Sequence, residues 1–408
     1  MKEAYDAVIV GAGPAGSTAA YYLGVYGYNI LLLDKDVFPR EKVCGDGIAP
    51  RSVHALYEMG LKEEIEGRFL RTSGIRFYAS RGGLTEVDYP MGSNFPDHGY
   101  VIPRKELDYI LLKKAEAAGV EIRQGWEAKG VLREEGGSFQ GIEAEFEGEK
   151  VHIGARYIVG ADGPSSLIGN KLGMLRNDPR FMGVSVRCYM SGVEGLSDRL
   201  EIYPEDAIMP SCGWIFPMNG NLANVGVGAM LYAMRSRKTN LNRTFEDFAH
   251  KTRHASEKLR GARREGRLRG ALLRVGMGGS KARKANVLLA GDAASLTNPI
   301  SGEGITYALE SGGLAAEAIA AALKSGNQEA LLDYQVALND RYEHYFRLGS
   351  LAIRYGNNPW FVNPLLFTTS RIPRLGDKMG RFLMNCRRGA DPEVSLRKEG
   401  HESGRHER

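Results

Sequence analysis

Six residues near the start of the chain, Gly11-Ala12-Gly13-Pro14-Ala15-Gly16, constrain its fold more than any other feature. They follow an apolar, β-branched run from Tyr5 to Val10 and open a helix-forming stretch, and a second apolar run, Asn29 to Asp34, completes a βαβ unit. In that setting Gly11 permits the tight turn, Gly13 lets a pyrophosphate approach the backbone, and Gly16 lets helix and strand pack closely. Asp34, about 20 residues on, is placed to accept hydrogen bonds from an adenosine ribose. The plainer alternative is a glycine turn without a ligand, and the motif does not by itself separate one dinucleotide from another.

At 408 residues the chain exceeds one small core and implies intertwined domains. Apolar residues at 43% and charged residues at 25% describe a folded chain, and a formal charge of +5 without Lys/Arg blocks interleaved with aromatics argues against nucleic acid as a partner. Cys44, Cys188, Cys212 and Cys386 lie far apart, without CxxC spacing or adjacent histidines, so no metal site is implied. The start lacks a signal-peptide layout, and nowhere do about 18 uninterrupted apolar residues suggest a spanning helix. A cytoplasmic location is expected, with peripheral association at the inner face of a membrane left open.

Along the chain, the loop Phe38 to Gly47 contains Cys44-Gly45-Asp46-Gly47, and a helix opens at Pro50. Short strands are expected from Ser73 to Tyr100, a helix over Arg104 to Ala118, and a β-meander from Phe139 to Ala161. Strands follow over Met182 to Met190, Arg199 to Tyr203, and the pair Gly213 to Met218 and Asn224 to Met230 around Asn219-Gly220-Asn221. A charged helical segment, Asn242 to Arg264, precedes an apolar strand at Asn286 to Ala290. Helix periodicity governs Ile305 to Leu323 and Gln328 to Arg354. The fold class is mixed α/β (α+β): a Rossmann-like domain over 1–72, 100–178 and 280–326, an interleaved antiparallel β domain over 73–99 and 179–279, a C-terminal helical region over 327–390, and a disordered tail over 391–408.

Gly291-Asp292, after an apolar strand and before Pro299, Gly302, Gly304 and a long helix, can set a carboxylate against a ribityl hydroxyl and glycine amides against a flavin ring. With Gly11 to Gly16 and the Gly160-Ala161-Asp162-Gly163 segment, it resembles the p-hydroxybenzoate-hydroxylase-type FAD fold over roughly residues 4 to 325. Within that fold, Lys42-Val43-Cys44-Gly45-Asp46-Gly47 and Gly213-Trp214-Ile215-Phe216-Pro217 are similar to the geranylgeranyl reductase family, nearest its bacterial menaquinone-reducing branch. The resemblance implies FAD as cofactor, an isoprenoid or lipid substrate, and FAD contacts at Ala15, Asp34, Cys44, Gly45, Gly47, Arg104, Ala128, Asp292, Gly304 and Ile305, beside Gly11, Gly13 and Gly16. Ala128 is placed by spacing, not by a motif. Asp162 and Gly163 read as structural and cofactor-adjacent.

Cys212, Trp214, Phe216 and Pro217 are the candidate substrate contacts. The family's aromatic motif often carries tyrosine where Cys212 stands, so either the tyrosine is dispensable or the substrate differs. In a regular strand Cys212, Trp214 and Phe216 share one face and Ile215 the other, so only one set can line a cavity, and simple core packing is the plainer reading. Cys44 is the candidate proton donor, although a lone cysteine is more often a small buried hydrophobe. Arg104 reads either as a flavin phosphate or ring-edge contact or as an ordinary surface arginine. Trp360, Phe361, Leu365, Leu366 and Phe367, near Arg371, Arg374, Lys378, Arg381, Arg387 and Arg388, suit either an interfacial helix or one docked on the main domain.

The activity implied is saturation of carbon–carbon double bonds, with hydride from reduced FAD and a proton from the protein. Gly276-Met277-Gly278-Gly279 lacks the context of a second dinucleotide site, so the electron donor is external, a nicotinamide or a small redox protein. A flavin monooxygenase on the same fold and a non-catalytic flavin-bearing lipid-binding or redox-sensing protein are the alternatives.

Overall fold

The computed structural model describes residues 4–78, 83–89, 91, 94–133, 138–356, 368 and 372–385. Its first layer grows from the strand Ala4–Val10, flanked in parallel by Ile30–Asp34 and Glu149–Gly160, with Glu121–Gln124 and Val287–Leu289 continuing the parallel sheet on either side. Ile30–Asp34 is buried at every position, as expected of a parallel strand covered on both faces. Phe139–Phe146 and Glu127–Arg133 extend Glu149–Gly160 as an antiparallel meander.

Two helices cover the sheet beside the glycine turn. Pro14–Val25 carries proline at its first position, where no amide partner is lost, and Ile305–Ser325 ends at Gly326 in the left-handed conformation. They approach closely because Gly312 has no side chain: a Cβ there would stand 2.4 Å from the Ala15 carbonyl oxygen.

The second layer is a seven-stranded sheet in the order Arg263–Arg274, Met182–Ser191, Ala223–Met230, Cys212–Pro217, Arg199–Tyr203, Gly74–Tyr78, Leu84–Asp88. Its pairs are antiparallel except Arg199–Tyr203 with Gly74–Tyr78, which is parallel. Phe245 and Phe248, from the helix Leu241–Lys251, close its far face with Tyr203, Ile215, Val225 and Val227. A small sheet of Gly47–Ile48, Gly99–Val101 and Leu70–Thr72 completes the β-structure.

The charged segment expected to be helical from Asn242 to Arg264 is helical only over Leu241–Lys251 and Ala255–Leu259. Its last residues begin the twelve-residue strand Arg263–Arg274 at the sheet edge. Its first half is solvent-exposed on both faces, so apolar alternation, the signal of a half-buried strand, is missing there. The Gln328 to Arg354 region splits into a 3-10 turn, the helix Leu332–Leu338, a π turn at Asn339–Glu343 and the helix His344–Gly356. Helix Pro373–Leu383 packs on Leu84–Asp88, where a Cβ on Gly380 would stand 2.4 Å from Val87 Cγ1. Trp360, Phe361, Leu365, Leu366, Phe367, Arg371, Arg387, Arg388 and the 391–408 tail lie outside the described residues. No helix among the described residues is long and apolar enough to cross a membrane.

Candidate flavin and substrate site

A cavity of about 1010 Å³ runs between the two large sheets, at the upper end of the few hundred to about 1,000 Å³ usual for ligand sites. Its walls include Gly11, Gly13, Ala15, Asp34, Cys44, Gly45, Gly47, Arg104, Ala128, Asp292, Gly304 and Ile305, together with Cys212, Trp214 and Phe216. Two expected contacts are absent from the walls. Gly16 instead lets the helix meet the turn, since a Cβ there would stand 1.8 Å from the Gly11 carbonyl oxygen. Pro217 is buried with Gly213 and Ile215 on the opposite face of its strand, as two-residue alternation requires.

At the glycine turn, Gly11 holds φ at +101°, and a Cβ would stand 2.4 Å from the Ala161 carbonyl oxygen. Gly13 differs. Its φ of −74° suits any residue, and a Cβ would meet nothing nearer than terminal guanidinium nitrogens of Arg40 and Arg104, both at 3.9 Å. Buried Asp108 orients both cations, receiving two hydrogen bonds from Arg104 at 2.7 Å and one from Arg40 at 2.9 Å. The Arg104–Asp108 pair is an i,i+4 contact on one helix and legible in sequence; Arg40, 68 residues from Asp108, is not. A helix N-terminus facing two fixed guanidiniums has the chemistry of a pyrophosphate cradle.

Asp34 Oδ2 accepts the Ala12 amide at 2.7 Å and Oδ1 the Asp36 amide at 2.9 Å. Burial raises its pKa, against the lowering pull of those amides and Arg40. Asp162, on the same cavity, accepts the Leu167 and Ile168 amides through Oδ2, while its buried Oδ1 has no partner among the described residues. An orphaned buried acceptor beside an arginine-lined glycine turn fits a hydroxyl-rich dinucleotide. At the far side Thr297 Oγ1 donates to Asp292 Oδ1 at 2.8 Å, and Lys42 Nζ lies 3.6 Å from Asp292 Oδ2.

The glycine loop is held from the second sheet. Asp46, fully buried at φ +65°, accepts Tyr189 Oη and Asn224 Nδ2 at 2.7 Å each and the Arg104 amide at 3.2 Å. Burial pushes its carboxyl up to about 6, against the pull of Arg187, Tyr189, Asn224 and the Arg104 amide. The Phe216 ring seats on the loop: Cβ atoms on Gly45 and Gly47 would stand 2.9 and 3.3 Å from it. Burial, then the Asp46 carboxylate, raise the Cys44 thiol above its ordinary value, so it carries its proton at neutral pH. Burial pushes Cys212 up to about 12. Glu303, on the cavity wall and hydrogen-bonded by Thr306 Oγ1, is likewise raised by burial. Sequence reasoning passed over Asp46, Asn224, Tyr189 and Glu303; the aspartate inside a glycine loop was the available signal for the first.

The chain matches the FAD binding domain family over residues 4–344. It is 37% identical over 336 residues to a menaquinone reductase of Mycobacterium tuberculosis, covering 78% of this chain and 77% of that one. It is 31% identical over 360 residues to digeranylgeranylglycerophospholipid reductase 2 of Methanopyrus kandleri, covering 84% and 83%. The crystal structure of a geranylgeranyl bacteriochlorophyll reductase-like protein from Thermoplasma acidophilum superposes with a TM-score of 0.81 at 24% identity, covering 93% of this chain and 96% of that one, a likeness of fold. The chain therefore belongs to the FAD binding domain family and is an FAD-dependent oxidoreductase of the geranylgeranyl reductase type.

Proposed function

We propose that the protein saturates carbon–carbon double bonds in an isoprenoid chain, carried by a menaquinone, a geranylgeranyl lipid or a prenyl diphosphate. The observation that supports this most is the continuity of one cavity from the arginine-lined glycine turn to a wall of Leu200, Ile202, Trp214, Phe216 and Leu273. An apolar chain fits such a wall, whereas a small polar substrate leaves it wet. FAD would be held by Gly11, Gly13, Arg40 and Arg104 at its pyrophosphate and by Asp34, Asp162 and Asp292 at its hydroxyls; reduced, it supplies a hydride. The residues 1–72, 100–178 and 280–326 would form the FAD domain, 73–99 and 179–279 the substrate domain.

The protein's own part is positioning, exclusion of water and delivery of a proton. Trp214 and Phe216 orient the chain, and the Cys44 thiol, which lines the cavity and keeps its proton at neutral pH, offers that proton. Reducing equivalents would come from a nicotinamide or a small redox protein.

The test is anaerobic. The protein with dithionite-reduced FAD is mixed with geranylgeranyl lipids or with menaquinone already reduced to its quinol, whose ring can take no electrons from the flavin, and flavin absorbance is followed. Reoxidation on adding a prenyl substrate is expected; a flavin that stays reduced with every prenyl substrate and reoxidises only in air overturns the proposal in favour of oxygen chemistry.

The substrate's access route bears on location. Ala352, Ile353, Met379 and Leu383 line the cavity from the helices His344–Gly356 and Pro373–Leu383, and those helices with their flanks expose Leu348, Leu351, Ile372 and Phe382 to solvent. This collar is proposed to rest on a bilayer surface. Co-sedimentation with vesicles containing anionic lipid should fall when Leu351 and Phe382 are both replaced by serine; equal pelleting of variant and parent would exclude the collar.

A further inference from the structure

Three neighbouring strands of the second sheet present Tyr189, Asn224 and Trp214 toward the glycine loop. Asn224 lies in register with Tyr189 on one side and Phe216 on the other. Its side chain is fully buried and makes three hydrogen bonds. Nδ2 donates to the Cys44 carbonyl and to Asp46 Oδ2, both at 2.7 Å, and Oδ1 accepts the Trp214 indole N–H at 3.0 Å. Only this amide orientation is chemically possible: turned over, its oxygen would face two acceptors and its nitrogen a donor. Asn224 therefore joins the loop that carries Cys44 to the indole that lines the substrate wall.

The geometry points to Asn224 as a positioning residue that sets the Cys44 loop and the Trp214 indole in fixed relation, so that proton donor and substrate wall move as one unit. This rests on the proposed reduction for its purpose, but the coupling itself does not. Three further features support it. The Trp214 ring has no freedom to sink away, because a Cβ on Gly226 would stand 2.2 Å from it. Tyr189 Oη shares Asp46 Oδ2 with Asn224. Arg187, stacked 4.2 Å over the Tyr189 ring, donates to the Glu41 carboxylate at 3.2 Å and the Lys42 carbonyl at 3.2 Å, extending the clamp along the loop. A buried network of this kind rigidifies its members, and removing one leaves others unpaired.

The experiment is a double-mutant cycle read without any prenyl substrate. The rate of Cys44 alkylation by iodoacetamide in the FAD-loaded protein, followed by peptide mass, is compared in the parent, Asn224→Leu, Trp214→Phe and the double variant. Asn224→Leu should speed alkylation about tenfold, and Trp214→Phe, which removes the indole N–H, should speed it in the parent but by less than about twofold in the Asn224→Leu background. Equal factors for Trp214→Phe in both backgrounds, or an unchanged rate in Asn224→Leu, would overturn the assignment. If Asn224→Leu does not fold, Asn224→Ser takes its place in the same cycle with the same criteria. Failure of prenyl turnover in the parent would count against the proposed reaction and leave this cycle intact.

Discussion

Replacing Gly13 by aspartate should abolish FAD binding while leaving the apoprotein folded. The backbone at Gly13 is extended, with φ −74° and ψ −175° at the N-cap of Pro14–Val25, a conformation and position that aspartate favours. A Cβ there has 3.9 Å of clearance. The new carboxylate would instead face Arg40 and Arg104, neutralise them and occupy the space for the pyrophosphate. Loss of affinity of 100-fold or more, on the order of 3 kcal/mol, should appear in FAD titration, with the thermal midpoint of the apoprotein unchanged or raised. Retained FAD affinity would mean that the pyrophosphate lies elsewhere. Gly16→Ala makes the contrast, because its Cβ collides with the Gly11 carbonyl at 1.8 Å and so disturbs the fold itself.

A second large effect is expected at Arg51, the second residue of the helix Pro50–Glu58 that leaves the glycine loop. Its guanidinium makes bonds of 3.0, 2.7 and 2.8 Å to the Glu310 carboxylate of Ile305–Ser325 and donates to the Asn385 carbonyl at 2.9 Å. Both side chains are nearly inaccessible, at 10% and 6% exposure, and Tyr342 also donates to Glu310. Arg51→Met strands a buried carboxylate, a loss of about 3–5 kcal/mol, and should lower the denaturation midpoint strongly. Arg51→Met with Glu310→Met removes both charges and should recover most of that loss. A double variant no more stable than the single one would contradict the ion-pair account.

What the sequence made legible was local. Gly11 to Gly16, Asp34 and the Gly291 to Ile305 segment are each read from a short stretch of sequence, and Gly11 and Gly16 are required by close approach of backbone to backbone. The alternation of the Cys212–Pro217 strand also followed from sequence, although which face met the cavity did not, and Pro217 lies with Gly213 and Ile215 on the buried face. What was illegible was assembled across the chain. Asp46 meets Tyr189 and Asn224 across 143 and 178 positions, and Arg51 meets Glu310 across 259. Such pairs leave no periodic trace, because each partner reads alone as an ordinary polar residue. Arg104 shows the boundary: its place at a helix head and its i,i+4 spacing to Asp108 were readable, but its pairing with Arg40 beside Gly13 emerges only in the folded chain.

The central claim, reduction of an isoprenoid double bond, is tested most directly by the mass of the product formed under argon from menaquinone or a geranylgeranyl lipid. A gain of two mass units per turnover that persists after any quinol is reoxidised, with both added hydrogens becoming deuterium when flavin reduction and turnover are run in deuterated buffer because the reduced flavin's N5–H exchanges with solvent, is the expected result, with the flavin reoxidised in step. An unchanged substrate under argon that gains sixteen mass units once air is admitted would contradict it and make the protein a monooxygenase.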